Sequence, residues 1–84
     1  MSRKDKLLAR LLKRPRDFTW DELTGLLRSL GYRQLKTGRT GGSRRRFVHP
    51  RGPTITLHRP HPDHIVKMYV MDDILELLRK EDMI

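Results

Sequence analysis

The sequence contains no cysteine, so neither disulfide bonds nor a thiolate zinc site can stabilise the fold. This absence fits a reducing cytosol. No apolar run approaches the length of a membrane span, and the N-terminal residues MSRKDKLLARLLKRP lack the apolar core of a signal peptide. We therefore expect a cytoplasmic protein that makes no contact with a membrane.

Carboxylates are absent from the middle of the chain. Residues 23–62 contain no Asp or Glu, although the whole chain carries a net charge of +9. Uncompensated like charges repel each other, so this segment is typical of an anion-binding face, and we favour nucleic acid as the partner over a solvated basic loop. The basic residues of the segment are Arg28, Arg33, Lys36, Arg39, Arg44, Arg45, Arg46, Arg51 and Arg59.

Aromatic residues are also few, with two Phe, two Tyr and one Trp. Trp20 and Phe47 lie in apolar patterns that predict core positions. The sequence has no aromatic residues interleaved with its basic ones, as a surface that stacks single-stranded bases would have. This composition favours recognition of the nucleic-acid backbone and shape over base-by-base reading.

A chain of 84 residues with 36% apolar residues predicts one domain, residues 1–84, with a small core. Leucine periodicity predicts the first helix, Thr19 and Glu22 form a capping box before the second, and an apolar stripe predicts the third. Alternating residues and turn signals predict three strands and a flexible turn at 37–42. The predicted helices are 3–13, 20–30 and 70–81, and the predicted strands are 32–36, 43–49 and 54–58.

Strand alternation assigns the side chains of the last two strands to opposite faces of an antiparallel sheet. Phe47 shares its face with Ser43 and Arg45, and Ile55 shares its face with Leu57, so this face should contact the helices. The other face should be open to solvent. It carries Arg44, Arg46, Val48, Thr54, Thr56 and His58.

The four histidines, His49, His58, His61 and His64, are candidates for chemistry. Asp63 is the single carboxylate near them in the sequence, and the prolines of RPHPDH make that segment a stiff loop. A zinc site needs about four well-placed ligands, so this pattern does not favour a metal site. We expect no cofactor.

A metal-independent ribonuclease needs fewer groups, because the RNA supplies its own 2′-hydroxyl as the nucleophile. Imidazoles can transfer the protons, and arginines can stabilise the charge that develops at phosphorus. His58 ends a strand beside the arginine-rich strand, and His61 follows on the stiff loop, so both are candidate catalytic residues. The alternative is that these imidazoles only bind phosphate or cap loop carbonyls.

The segments LLRSLGY, TGGSRRRFVHP and TITLHRPHP, followed by an amphipathic helix, resemble the HicA family of toxins over about residues 19–84. The resemblance implies an α+β fold like that of double-stranded-RNA-binding domains, in the order α-α-β-β-β-α. It also implies cleavage of messenger RNA and inhibition by a HicB-like antitoxin. His61 matches the His-Pro turn of the family. Residues 16–84 would form the RNA-binding core, and residues 1–15 a helical extension whose leucines cover the core or bind a partner.

One position departs from the family pattern. The resemblance implies a catalytic histidine after the Gly-Ser pair, but Arg44 follows Gly42-Ser43 here, and arginine cannot act as a general base near neutral pH. Three interpretations stay open: a toxin that uses His58 or His61, an RNA-binding relative without cleavage, and a DNA-binding module. The predicted RNA-binding residues are Lys36, Arg39, Arg44, Arg45, Arg46 and Arg59.

Overall fold

In the part of the chain that the structure describes, three helices and three strands follow one another in the predicted order, α-α-β-β-β-α. The structure, a computed structural model, describes residues 2–35 and 44–84. The predicted turn at 37–42 and the predicted strand start at Ser43 lie outside these residues. The elements are α1 (Arg3–Leu12), α2 (Trp20–Ser29), β1 (Arg33–Gln34), β2 (Arg44–His49), β3 (Gly52–His58) and α3 (Met68–Lys80).

Both N-terminal helices begin at residues that cap them. The Ser2 hydroxyl accepts a hydrogen bond from the Asp5 N–H at 3.2 Å, at the start of α1. At the start of α2 the Thr19 hydroxyl accepts from the Glu22 N–H, and the Glu22 carboxylate accepts from the Thr19 N–H. These bonds satisfy backbone donors that a helix terminus leaves unpaired, and they confirm the predicted capping box.

Helix α2 ends in a Schellman motif at Gly31. The Tyr32 N–H donates to the Leu27 carbonyl at 2.9 Å, and the Gly31 N–H donates to the Arg28 carbonyl at 3.1 Å. Gly31 has a φ of 102°, which residues with a Cβ rarely adopt. This turn directs the chain from α2 straight into β1.

The sheet is antiparallel in the order β1-β2-β3. In β2 and β3, Arg44 lies opposite His58, and Phe47 lies opposite Ile55. Strand β3 begins at Gly52, two residues before the predicted start. Pro53 is tolerated there because β3 is an edge strand and Pro53 is near its beginning.

One apolar cluster joins the helices to the inner face of the sheet. Leu11 of α1 is fully buried in it, so the N-terminal helix covers the core of its own domain. No described helix is long and apolar enough to cross a membrane. The buried members of the cluster are Leu11, Phe18, Trp20, Leu23, Leu26, Leu27, Tyr32, Phe47, Ile55, Val66, Met71, Ile74, Leu75 and Leu78.

Candidate nucleic-acid interface

The outer face of the β2–β3 hairpin carries a set of exposed polar side chains. Arg44 lies opposite His58, and Arg46 lies opposite Thr56, so these four residues share one face. All four are exposed, whereas Phe47 and Ile55 on the other face are buried. This confirms the alternation predicted from the sequence. We call Arg44, Arg46, Thr56 and His58 the basic sheet face.

A groove of about 470 Å³ begins where the basic sheet face ends. His58 belongs to both, so the two form one continuous surface. The loop after β3 forms one wall of the groove, and the first turn of α3 forms the other. We call this the loop groove; its lining residues are His58, Arg59, Pro60, His61, Asp63, Ile65, Lys67, Tyr69 and Val70.

Backbone hydrogen bonds attach the loop groove to the start of α2 and to the segment before it. The Trp20 N–H donates to the His64 carbonyl at 2.7 Å, and the Val66 N–H donates to the Phe18 carbonyl at 2.8 Å. These bonds attach the far end of the loop to the chain that enters α2. Within the loop, Asp63 Oδ1 accepts from the Ile65 N–H at 3.2 Å. The groove is therefore supported by the core.

Both candidate catalytic histidines line the loop groove, and both are exposed. Arg59, between them in the chain, lines it as well. The structure thus places His58, His61 and Arg59 at one groove, with Arg44 across the sheet from His58. Imidazoles beside guanidinium groups can bind phosphate and can also transfer protons.

Arg45 lies apart from the other arginines of β2. It pairs with Leu57 on the inner face of the sheet and is half-buried, and its guanidinium donates to the Arg44 carbonyl at 2.9 Å. Lys36 and Arg39 are outside the described residues. Of the six predicted RNA-binding residues, the structure therefore brings Arg44, Arg46 and Arg59 to the same surface.

His49 is at the opposite end of the hairpin. It is five residues from Arg44 along β2, or roughly 17 Å at the rise of an antiparallel strand. Its Nδ1 accepts from the Arg51 N–H at 2.9 Å, so its Nε2 carries hydrogen and donates to the Leu30 carbonyl at 3.0 Å. Its ring contacts Tyr32, with 5.0 Å between ring centroids. His49 fastens the β2–β3 turn to the end of α2.

The four histidines do not come together as ligands of a metal would. Within residues 2–35 and 44–84, no group of three His, Asp or Glu side chains is placed to hold a metal ion. His58 and His61 line the groove, while His49 is bonded elsewhere. Besides the Asp63 carboxylate and the Tyr69 hydroxyl, the groove offers imidazole, guanidinium and ammonium groups.

The carboxylates that form ion pairs lie on the helical side of the molecule. Arg10 pairs with Asp17 and Glu22, and Arg14 pairs with Asp72. In the part of the chain that the structure describes, no ion pair joins Arg44, Arg46 or Arg59 to a carboxylate. The guanidinium groups of Arg44, Arg46 and Arg59 are therefore not neutralised by a carboxylate of that part of the chain.

Sequence reasoning missed Tyr69, whose side chain is 63% exposed in the loop groove. A signal was present, because the buried stripe of α3 contains Met71, Ile74 and Leu78. At 100° per residue, Tyr69 falls away from that stripe, among exposed residues such as Asp72 and Asp73. The helical periodicity therefore predicts that Tyr69 lies on the surface.

The comparisons with known proteins gave one result. A family model described as the HicA toxin of bacterial toxin–antitoxin systems matches residues 20–79. The match begins at α2, so α1 lies outside it, and it contains the described parts of the basic sheet face and the loop groove. No curated protein and no solved structure matches the chain.

Proposed function

The chain belongs to the HicA family of toxins of bacterial toxin–antitoxin systems, and on that premise we propose that it is an RNA-binding toxin that cleaves messenger RNA without a metal ion. One observation carries the proposal. Arg44 and Arg46 lie across the sheet from His58 and Thr56 on an exposed face. Unpaired guanidinium groups bind phosphate, and an imidazole beside them can act on the same phosphate.

Binding is the first part of the proposal. Phosphates of the RNA contact Arg44 and Arg46 on the basic sheet face and Arg59 in the loop groove. Because these contacts replace counterions on the RNA, they supply affinity without base specificity. The groove then receives the nucleotide next to the bond that is cleaved.

Cleavage is the second part. The imidazole of either His58 or His61 removes the proton from a ribose 2′-hydroxyl, and O2′ then attacks the adjacent phosphorus. The other imidazole protonates O5′ as the P–O5′ bond breaks, which leaves a 2′,3′-cyclic phosphate and a free 5′-hydroxyl. Arg44, which stays protonated, stabilises the additional negative charge on the phosphoryl oxygens.

A toxin of this family acts together with an antitoxin. We propose that the partner is a HicB-like protein and that it inhibits the toxin by covering the basic sheet face. The cytoplasm, where messenger RNA is translated, is the proposed site of action.

A second candidate function is RNA or DNA binding without cleavage. The observation that favours it is Arg44 itself, since arginine stands where the family resemblance implies a catalytic histidine. A guanidinium at that position can hold phosphate but cannot accept the proton of the 2′-hydroxyl near neutral pH.

The binding test measures affinity for a 2′-O-methyl RNA strand, which the proposed reaction cannot cleave, between about 50 and 200 mM salt. The double variant Arg44→Glu/Arg46→Glu should bind more weakly, with a shallower dependence of log K on log salt. Lys4→Glu/Lys6→Glu changes the net charge equally on exposed positions of α1 and is the matched control. Equal losses in both variants, or an affinity that salt leaves unchanged, would contradict binding at the basic sheet face.

The cleavage test uses the same chain with unmodified RNA. The wild type should produce 2′,3′-cyclic phosphate ends and stop growth when induced without its antitoxin, and His58→Ala or His61→Ala should abolish both effects. Growth arrest that survives both substitutions would rule out histidine catalysis. Tight binding without any cleavage would support the second function, and a preference for duplex DNA in competition would assign it to DNA.

A further inference from the structure

Tyr69 differs from the other aromatic residues of the chain. Phe18, Trp20, Tyr32 and Phe47 are at most 5% exposed, whereas Tyr69 is 63% exposed. Among the described residues that line the loop groove, it is the one Phe, Tyr or Trp. The core therefore does not account for this residue.

The helix does not require a tyrosine at this position either. Tyr69 is in the first turn of α3, where its helix propensity is only average, and an exposed polar residue would serve the helix equally well. The other large apolar side chains with high exposure among the described residues, Leu12 and Ile84, are not in the groove lining. The ring of Tyr69 is thus an apolar surface next to cationic groups.

We propose that Tyr69 stacks on a base of single-stranded RNA whose phosphates are bound beside it by Arg59 and Lys67; this inference rests on the proposed function. A base in a duplex keeps its faces covered by its neighbours, so the ring can reach a base only in a single strand. The substrate class is therefore unpaired RNA.

The surroundings of the ring fit a nucleotide. Arg59, Lys67 and the two groove histidines supply donors to phosphate, and Asp63, the carboxylate in the groove lining, already accepts a hydrogen bond from the Ile65 N–H. A volume of about 470 Å³ is within the range of small-ligand sites. A ligand that is both anionic and aromatic uses the cations and the ring together.

Stacking on Tyr69 also positions the RNA in the loop groove. A base stacked on Tyr69 holds its own ribose and phosphate in the groove that His58 and His61 also line. Stacking tolerates every base, because each presents a flat π-face. We therefore expect Tyr69 to increase affinity for unpaired RNA of any sequence.

The test compares two strands of about 12 nucleotides, a typical length for single-strand binding sites. One is a 2′-O-methyl RNA with all its bases, and the other has the same backbone without bases, so both have equal charge. Fluorescence anisotropy of labelled strands measures the affinity of the wild type, Tyr69→Ala, Tyr69→Phe and Leu12→Ala. Leu12→Ala removes an exposed apolar side chain outside the groove and is the matched control.

We expect Tyr69→Ala to weaken binding of the base-bearing strand roughly 5- to 150-fold, the range of alanine substitutions at stacking residues. The strand without bases should bind wild type and Tyr69→Ala equally. Tyr69→Phe keeps the ring and should retain affinity, and Leu12→Ala should behave as wild type with both strands.

The outcomes separate this inference from the proposed function. If the wild type binds neither strand, the RNA-binding function itself is wrong. If it binds both strands and Tyr69→Ala loses no base-dependent affinity, stacking is wrong while RNA binding stands, and a protein partner becomes the explanation for the exposed ring. Equal losses on both strands would also overturn stacking, and a thermal unfolding scan would show whether the variant had lost its fold.

Discussion

Replacing Gly31 by alanine should destabilise the protein strongly. Gly31 has a φ of 102°, and a Cβ there would lie 2.8 Å from Nε2 of His49. The left-handed backbone costs a residue with a Cβ about 1–2 kcal/mol. Moving the His49 ring away breaks its hydrogen bond to the Leu30 carbonyl, which adds about 0.5–1.5 kcal/mol.

Together these effects amount to about 1.5–3.5 kcal/mol, against a total stability of roughly 4–13 kcal/mol for a chain of this length. For a domain of this size that corresponds to a fall in Tm of roughly 6–28 °C. Thermal unfolding followed by circular dichroism measures it. The matched control is Gly25→Ala, because Gly25 lies inside α2 and its added Cβ would meet only flexible side chains, Arg3 at 3.1 Å and Leu7 at 3.4 Å.

Gly25→Ala should therefore raise the stability by about 0.5–1 kcal/mol, since alanine favours the helix. A double variant, Gly31→Ala/His49→Ala, separates the two costs of the first substitution. If His49 is the obstacle, the double variant will lose less stability than the sum of the losses in the single variants Gly31→Ala and His49→Ala. A Gly31→Ala variant as stable as wild type would refute both the left-handed turn and the contact with His49.

Two further predictions concern the helical layer. Leu11→Ala should lower the free energy of unfolding by about 2–5 kcal/mol in urea denaturation, because Leu11 is fully buried. Leu12 is exposed, so Leu12→Ala should change that free energy by less than about 0.5 kcal/mol. Equal effects of the two substitutions would mean that α1 does not pack on the core. Burial alone would raise the pKa of Glu22, but hydrogen bonds from Arg10 and Thr19 outweigh it and hold that pKa below the ordinary 4.5. The stability that Glu22 supplies is thus present above pH 4.5 and is lost as the pH falls through its folded-state pKa. The urea midpoint of unfolding of the wild type should fall as the pH is lowered from about 6. A Glu22→Gln variant whose midpoint falls by the same amount over that range would contradict this prediction.

The sequence predicted those parts of the fold that depend on neighbouring residues. The capping box of Thr19 and Glu22 and the left-handed Gly31 act over a few residues, so their pattern specifies the local structure directly. The same holds for the alternation of Arg44, Arg46 and Phe47, because neighbouring strand residues point to opposite faces. The order of the elements followed from these signals.

The loop groove was not predictable in the same way. It forms because residues near position 60 pack beside the first turn of α3, and hydrogen bonds to Phe18 and Trp20 fix that placement. Such contacts join distant parts of the chain and leave no local pattern. For the same reason the sequence did not predict the hydrogen bond between His49 and the Leu30 carbonyl. The turn at 37–42 and the roles of Lys36 and Arg39 stay predictions.

The uneven distribution of charge along the chain has a consequence for how a polyanion approaches the molecule. Outside residues 23–62 the chain carries ten basic and ten acidic residues, so the whole net charge of +9 comes from that one segment. A polyanion at about a Debye length, roughly 8 Å at physiological salt, therefore exerts a torque on the molecule as well as an attraction. Under the proposed function, this torque turns the sheet toward the RNA strand before any contact forms. If RNA is the partner, as proposed above, its association should be faster than that of an uncharged pair and should slow as salt is added.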